Sequence, residues 1–565
     1  MGGLRRRRDS LVLSATALAT LAVVILVVAP LAKLVQVASD SGGASVGRIL
    51  SEPGVSAAAL HSVVLACVVP LIAAPFGTAV ALFLRRSDVP CRGFLRLLVV
   101  LPLVIPQFVL GYSWTQAYAR AGFTDTLAGF RWAGLTGPVG VAVVLVVDAV
   151  PLCYLLTTAG LATRAAPELE RAARLSGAQG WTTLRTVTLP LLRPVLAAEV
   201  VLTFVATLES FAAPQVLGTQ AGFDTLTTRI YADLSLASDP DSFVDAITLS
   251  LALVVIAAVV LVPADLALGP RLRVVRAGQQ AGAALASRRG WRPVAAALAL
   301  AGYAAFAVVL PALALLTAAI TKAIGVPPTP SNWTLGNFRA ALDSPAIAAI
   351  RNSVELAAAA AFVLTALGAL IAVLERRRAG RALGTLAVLA FAAPGSTLAV
   401  GLLIAYGRWL GGSLALVLLA YLAKFWAVAH RTISGAVERA PQSEWHAARV
   451  SGATPAAAVR TVWLPALAPA LLGAWILVFL SATHEVTMSS LLYSYGNQTL
   501  AVAVLDQQQL GQVGDTAALS VVLTALLLLA ALPAWLLWRT TARRRGRAIG
   551  PIPSAAWHLE VAGAR

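Results

Sequence analysis

The sequence has little charge, few cysteines and almost no lysine. Only 12% of its 565 residues are charged and 59% are hydrophobic, a composition too apolar for a soluble protein of this length. Its three cysteines, Cys67, Cys91 and Cys153, stand far apart, without the spacing of a zinc site or a redox dithiol. We therefore expect a polytopic membrane protein with no metal site and no cofactor.

The scarcity of lysine excludes one class of enzyme. An ATP-hydrolysing domain needs a glycine-rich phosphate loop that ends in Gly-Lys followed by Ser or Thr. The lysines are Lys33, Lys322 and Lys424, and none of them follows a glycine. No stretch between the apolar runs is long enough for a soluble catalytic domain. We therefore do not expect an enzyme.

Apolar runs of about twenty residues or more, long enough to cross a bilayer, recur in two sets of six. The first run is too long for a signal-peptide core and is predicted to be an uncleaved helix. The sequence predicts an all-α polytopic membrane protein with about 12 transmembrane helices in two halves. The runs cover 11–37, 57–84, 96–119, 137–160, 195–217, 243–269, 293–320, 347–374, 384–407, 411–430, 467–491 and 516–538.

The net charge of +18 reflects basic residues in short segments between these runs. By the positive-inside rule these segments are cytoplasmic, and so are both termini. The charge therefore indicates orientation, and no nucleic acid partner is expected. The opposite loops carry acidic residues, so a soluble partner would meet an acidic outer face. These acids are Asp224, Asp233, Asp239, Asp241, Asp506 and Asp515.

One stretch of the chain occurs twice. Arg171-Ala-Ala is followed by Gly177, and His446-Ala-Ala is followed at the same spacing by Gly452. The further spacing to Pro190 and to Pro465 is also the same. The chain is therefore an internal duplication.

The repeated residues resemble the cytoplasmic loop motif of permease subunits in binding-protein-dependent ABC importers, which reads Glu-Ala-Ala, three residues, Gly, nine residues, Ile-x-Leu-Pro. In that family the loop is a coupling helix that docks on a cytosolic ATPase. Arg171 and His446 replace the leading Glu, and the neighbouring Glu170 and Glu444 are candidates to substitute for it. The coupling residues implied are Glu170, Arg171, Ala172, Ala173, Gly177, Pro190, Glu444, His446, Ala447, Ala448, Gly452 and Pro465.

The resemblance implies a division of the chain into two permease halves. The first half is 1–270 with a coupling loop at 161–194, and the second is 293–547 with a coupling loop at 437–466. Between them lies a basic cytoplasmic linker, 271–292, and a tail follows at 548–565. Paired alanines and a glycine suit a helix that approaches a partner closely and then ends.

The implied function is ATP-driven import by alternating access across the inner membrane of a prokaryote. The implied partners are two copies of a cytosolic ATPase subunit, a periplasmic or lipid-anchored solute-binding protein, and membrane lipid. Single-chain duplicated permeases are similar to those of ferric-iron, thiamine and aminoethylphosphonate systems, with polyamine permeases as two-subunit relatives. The segments Leu208–Gly218 and Met488–Tyr493 look most like the ferric-iron group.

Five ionisable residues within the apolar runs are candidates for the translocation pathway: Glu209, Glu485, His484, Asp148 and Lys424. A charge inside a membrane needs a partner or a watery cavity. The two glutamates, near-equivalent in the repeat, either line a path for a cationic cargo or cap nearby backbone. Asp148 and Lys424, also near-equivalent, either form a pair that bridges the halves or are solvated separately.

Two further pairs of positions match between the halves. His61-Ser62 and Asn352-Ser353 begin the second and eighth runs, and prolines interrupt the third and ninth runs at Pro106 and at Pro394. Proline breaks or kinks a membrane helix, which suits either a hinge or simple packing. The alternative function is an ABC permease for thiamine, aminoethylphosphonate or polyamine. A more distant alternative is a proton-coupled secondary transporter that uses Glu209, Glu485 or Asp148, although such a carrier has no ATPase to dock.

Overall fold

The computed structural model describes residues 14–40, 52–87, 91–164, 166–237, 240–273, 291–323, 325–375 and 393–548, and singly residues 47 and 89. Within these ranges the chain forms helices and no β-sheet. Most of the predicted linker and almost all of the predicted C-terminal tail lie outside the described residues.

The described residues of each half contain a series of six spans, which we number 1 to 12 along the chain. Spans 1 to 6 are Ser14–Asp40, Pro53–Arg86, the broken pair Arg92–Leu103 and Gln107–Ala128, Pro138–Arg164, Gly180–Leu208 and Pro240–Arg273. Spans 7 to 12 are Pro293–Ile320, Ser344–Leu374, Gly395–Leu410, Leu414–Glu438, Pro455–Thr483 and Val513–Ala548. Shorter helices are Pro167–Leu175, Ala212–Leu217, Leu226–Ser235, Gly336–Ala341, Gln442–Val450, Thr487–Leu492 and Leu500–Gln509.

The all-α, two-half architecture is confirmed, although the count of twelve is approximate. Among the described residues, ten helices are long and apolar enough to cross a membrane. The two segments of span 3 are bent by 106° at Pro106. If they are counted together as one span, the number of candidate spans becomes eleven. The predicted run 384–407 is described only from residue 393 onward.

The predicted loops 161–194 and 437–466 are mostly helical. Span 5 begins at Gly180 rather than at 195, and span 11 begins at Pro455 rather than at 467. The motif prolines therefore lie inside long helices. Each follows a π-helical turn, at Leu184–Thr188 and at Val459–Trp463. A π turn shifts the hydrogen-bond register, so the helix accommodates a residue that has no N–H.

Spans 1 and 7 use the same device. A π turn at Val24–Val28 precedes Pro30, and another at Ala305–Val309 precedes Pro311. The repetition shows that a proline two residues after a π turn is a feature of this fold and does not mark the end of a helix.

Glycine allows the same close helix contact in both halves. A Cβ on Gly77 of span 2 would lie 2.6 Å from Cys153 Cβ of span 4. The equivalent Gly368 of span 8 packs on span 10, where a Cβ would lie 2.9 Å from the backbone nitrogen of His430. No larger residue fits without moving a helix.

The first span of each half packs on the other half. In span 1, Ala19 and Val23 are buried in the core formed by spans 8 to 11, and the Tyr406 hydroxyl of span 9 donates to the Ile25 carbonyl at 2.8 Å. Span 7 in turn packs on spans 3 and 12, and the Trp114 indole N–H donates to the Ala307 carbonyl at 3.1 Å. The two halves are therefore tied together by an exchange of helices.

The matching pairs near the start of spans 2 and 8 form matching contacts. His61-Ser62 holds the segment 224–226: the His61 Nδ1 lies 2.8 Å from a carbonyl oxygen, and the Ser62 hydroxyl accepts a backbone N–H bond at 2.8 Å. Asn352-Ser353 holds the segment 498–500 with bonds of 3.1 and 2.7 Å. Each pair fixes the segment that leads into a short helix ahead of the last span of its half.

Candidate functional site

The first loop helix (Pro167–Leu175) and the second loop helix (Gln442–Val450) end in the same backbone motif. The Ala178 N–H donates to the Ala173 carbonyl at 2.9 Å, and the Ala453 N–H donates to the Ala448 carbonyl at 3.0 Å. Gly177 and Gly452 have φ values of +85° and +88°, which glycine adopts most readily. This Schellman cap is the physical reason for the spacing from the alanines to the glycine.

Each loop helix ends in an apolar side chain that faces outward. Leu175 is 91% exposed and Val450 is 88% exposed, the highest values for any leucine, isoleucine or valine among the described residues. They occupy the same position of the repeat. Displayed apolar groups of this kind indicate a docking surface. The surrounding motif residues Arg171, Ala172, His446 and Ala447 are exposed as well.

Glu170 does not share that exposed surface. It is 3% exposed, and its carboxylate accepts a hydrogen bond of 2.7 Å from the Thr188 hydroxyl, which braces the first loop helix against span 5. Arg171, at the position of the motif's leading Glu, is exposed whereas Glu170 is buried; the substitution of Glu170 for that Glu stays a prediction. Glu444 is exposed. In the second loop Trp445 and Trp463 provide the brace, with ring centroids 5.2 Å apart.

In the first half a polar chain runs along the break in span 3. The Gln107 amide donates to the Asp148 carboxylate of span 4 at 3.0 Å, and the Ser210 hydroxyl donates to the Gln107 side-chain oxygen at 2.7 Å. Gln107 is the first helical residue after the Pro106 break. These hydrogen bonds therefore attach the second segment of span 3 to span 4 and to the residues that follow span 5.

Glu209, which follows span 5, forms an ion pair with Lys424 of span 10. The Nζ–Oε2 distance is 2.6 Å, the two side chains are 17% and 14% exposed, and Nζ also donates to the Ala393 carbonyl at 2.9 Å. The expected bridge between the halves exists, but in the described part of the chain Glu209 forms it in place of Asp148. Asp148 accepts the Gln107 hydrogen bond instead.

Glu485 lies in the second half, close to the position equivalent to Glu209. Its carboxylate accepts the backbone N–H bonds of Met488 at 2.7 Å and Ser489 at 2.9 Å, and it caps the short helix Thr487–Leu492. This is the capping arrangement anticipated as an alternative to lining a path. His484, half-buried, precedes it. The two glutamates therefore have different partners.

Glu199 in span 5 was missed from the sequence. It is fully buried, and its carboxylate accepts hydrogen bonds from the hydroxyls of Thr157 at 2.5 Å and Thr78 at 3.3 Å. A carboxylate within an apolar run is the signal that would have identified it. Its partners come from spans 4 and 2 and are far away in sequence.

Comparison with known proteins agrees with this arrangement. The family model described as "Binding-protein-dependent transport system inner membrane component" matches residues 73–269 and again 364–544, together more than half of the chain. Each matched segment contains one loop helix.

Three relatives illustrate the range of similarity. The ferric transport system permease protein FbpB of Actinobacillus pleuropneumoniae is 24% identical over 83% of this chain and 69% of its own length. The probable ABC transporter permease protein y4fN of Sinorhizobium fredii is 28% identical over 79% of this chain and 80% of its own. The molybdenum transport system permease protein ModB of Mycobacterium tuberculosis is 36% identical over 38% of this chain and 79% of its own. The chain therefore belongs to the inner membrane components of binding-protein-dependent transport systems, and it carries the family's domain twice.

Proposed function

We propose that this chain forms the whole membrane pathway of an ABC importer for ferric iron. The permease role follows from the family, and the single-chain pathway follows from the duplication. The observation that carries the coupling role is the pair of loop helices, with equivalent caps and equivalent exposed apolar residues, Leu175 and Val450. Two such exposed surfaces in one chain, one on each loop helix, match two copies of an ATPase subunit.

Six spans separate the two loop helices, so both face the same side of the membrane when each span crosses once. The basic segments place that side in the cytoplasm, with both termini. The acidic loops then face outward, where a periplasmic or lipid-anchored binding protein delivers the cargo. Membrane lipid surrounds the exposed apolar faces of the spans.

The two ATPase copies meet different surfaces. The position of the motif's leading Glu holds Arg171 in one loop helix and His446 in the other, and both are exposed. An ATPase homodimer therefore makes at least one different charged contact at its two docking sites. Rim charges mainly affect association rate and specificity, so the shared apolar residues carry the larger part of the docking energy.

The pathway is proposed to run between the halves, beside Glu209, Glu485, His484, Asp148 and Lys424. In alternating access ATP draws the loop helices together and opens the outer side, and product release reverses the change. The ion pair between Glu209 and Lys424 joins spans of different halves. Separation of the halves at that depth would break the pair, and a cationic cargo would replace Lys424 as the counterion.

Two observations favour ferric iron as the cargo. The ferric permease matches across both halves of the chain, whereas the molybdenum permease matches 38% of it. The pathway candidates also include three carboxylates, Asp148, Glu209 and Glu485, which favour a cation over an oxyanion.

The coupling role is tested with Leu175→Arg and Val450→Arg in proteoliposomes that hold the chain, its ATPase and the binding protein. Removal of an exposed apolar anchor from a docking site commonly costs ~2 kcal/mol, or roughly thirtyfold in affinity. We expect ATP-driven iron uptake to fall by at least that factor for each variant, without loss of protein from the membrane.

The matched control is Leu335→Arg, which changes an exposed leucine, 62% accessible, in the segment between spans 7 and 8 on the opposite side. Uptake in this control should equal wild type. Normal uptake in both loop variants would remove the coupling assignment. Uptake by the chain alone, driven by a proton gradient, would favour the secondary transporter.

A further inference from the structure

Three oxygen donors lie together at the outer ends of the two halves. The Tyr493 hydroxyl donates to the Asp506 carboxylate, with an oxygen–oxygen distance of 3.3 Å. The Tyr231 hydroxyl accepts a hydrogen bond of 3.1 Å from the Gln509 amide, which lies one turn after Asp506 on the same short helix. Asp506 therefore contacts Tyr493 directly, and the helix that carries Asp506 contacts Tyr231 through Gln509. The donor set is two phenols and one carboxylate.

The donors come from both halves. Tyr231 belongs to the short helix Leu226–Ser235 of the first half, and Tyr493 and Asp506 belong to the second half. Tyr231 is 4% exposed, whereas Tyr493 and Asp506 are half-buried. Solvent therefore reaches the cluster from the second half, and Tyr231 forms its inner wall.

The cluster holds negative charge without a cationic partner. No lysine or arginine in the described part of the chain forms a salt bridge with Asp506. A carboxylate without a cationic partner attracts a cation and repels an oxyanion.

We propose that Tyr231, Tyr493 and Asp506 form a transient binding site for a ferric ion at the outer mouth of the pathway. This proposal rests on the proposed function and names a contact site for its cargo. Hard cations take oxygen ligands. Each phenol that binds the ion loses its proton to water as its Fe–O bond forms, and the iron remains Fe(III) throughout.

The split between the halves gives the site a place in the transport cycle. When the outer ends separate, Tyr493 and Asp506 stay together on the second half and offer a partial site to the delivered ion. Closure brings Tyr231 to the ion and completes the set. The site is therefore occupied most tightly in the occluded state.

The test uses the full chain in lipid nanodiscs, titrated with ferric nitrilotriacetate, and measures the visible charge-transfer absorbance of iron–phenolate bonds. Wild type should show the band. Tyr231→Phe and Tyr493→Phe should each lose about half of it, because one of two phenolate ligands is removed. Phenylalanine keeps the ring that Tyr231 packs against Phe211, at 5.1 Å between centroids. The matched control is Tyr495→Phe, which alters a fully exposed tyrosine two residues from Tyr493 and should leave the band unchanged.

Each outcome separates this site from the importer assignment. An equal band in wild type and in all three variants would mean iron bound elsewhere, and would overturn the site. ATP-driven iron uptake without any band would overturn the site and leave the importer intact. The expected pattern of bands without ATP-driven uptake would support the site and remove the importer assignment.

Discussion

The buried carboxylate of Glu199 allows a stability prediction with an internal control. In the first half it is hydrogen-bonded to Thr157 and Thr78. In the second half the equivalent positions form part of an apolar cluster. These positions are Ala474, Ile433 and Ala369. The same packing problem is therefore solved with polar side chains in one half and apolar side chains in the other.

Glu199→Ala should destabilise the chain by about 2–5 kcal/mol. Hydrogen bonds between membrane helices contribute about 0.6 kcal/mol each on average, and Glu199 accepts two. Truncation of a large, fully buried side chain adds a cavity cost, commonly bringing the total to about 2–5 kcal/mol. Glu199→Gln keeps the size and an acceptor oxygen, so about 1 kcal/mol is expected. The measurement is unfolding of the purified chain in mixed micelles at increasing denaturing detergent.

The informative variant gives the first half the three apolar residues that the second half has at these positions. It combines Glu199→Ala with Thr157→Ile and Thr78→Ala. The added isoleucine fills part of the cavity and no hydroxyl loses its partner, so at least about 1 kcal/mol should be regained relative to Glu199→Ala. The reverse control, Ala474→Glu, puts a carboxylate among apolar side chains and should cost ~3 kcal/mol.

A triple variant no more stable than Glu199→Ala would refute this reasoning. The polar cluster would then have a role that packing does not replace. Transport by a well-folded triple variant gives a second readout. If Glu199 only packs helices, uptake should be close to wild type. Loss of uptake with normal folding would place Glu199 in the transport mechanism.

Two further predictions concern charged groups. Glu209→Gln removes the carboxylate partner of the Lys424 ammonium and should cost ~3 kcal/mol, whereas Glu209→Gln with Lys424→Gln should recover most of that loss; an unrecovered loss in the same unfolding assay would contradict the pairing. Burial raises the pKa of Asp233 to about 6 despite the Arg229 side chain 3.1 Å away, above an unfolded value of about 3.9. Its contribution to folding is therefore greatest below pH ~4 and is lost as pH rises through about 6, so Asp233→Asn should gain stability over wild type across that interval; a pH-independent difference would disprove it.

Sequence patterns predicted the parts of this fold that depend on composition and spacing. Apolar runs predicted the spans. The repeated spacing to Gly177 and Gly452 predicted the duplication, which the two segments of the family match confirm. Span 5 begins at Gly180 and not at the predicted residue 195, because the helix continues through Pro190. A π turn leaves no clear trace in the pattern of apolar residues, so sequence alone did not show that the helix continues through it.

The partners of buried charges were harder to predict, because equivalence in a repeat is not contact. Asp148 and Lys424 occupy matching positions, yet matching positions lie on different halves and need not meet. Lys424 instead meets Glu209, which comes from a different place in the repeat. The burial of Glu170 likewise depends on Thr188, eighteen residues away, and nothing in the motif separates an inward glutamate from an outward one.

The exchange of first helices has a consequence for how the molecule is made. Span 1 is synthesised first, but the helices that bury its residues Ala19 and Val23, spans 8 to 11, are among the last to be synthesised. Until then its contact face must remain against lipid or be held by the insertion machinery. Ribosomes that stop after the first half would leave a protein with an unmatched helix, and the quality-control system of the membrane could recognise that helix as a mark of incomplete synthesis.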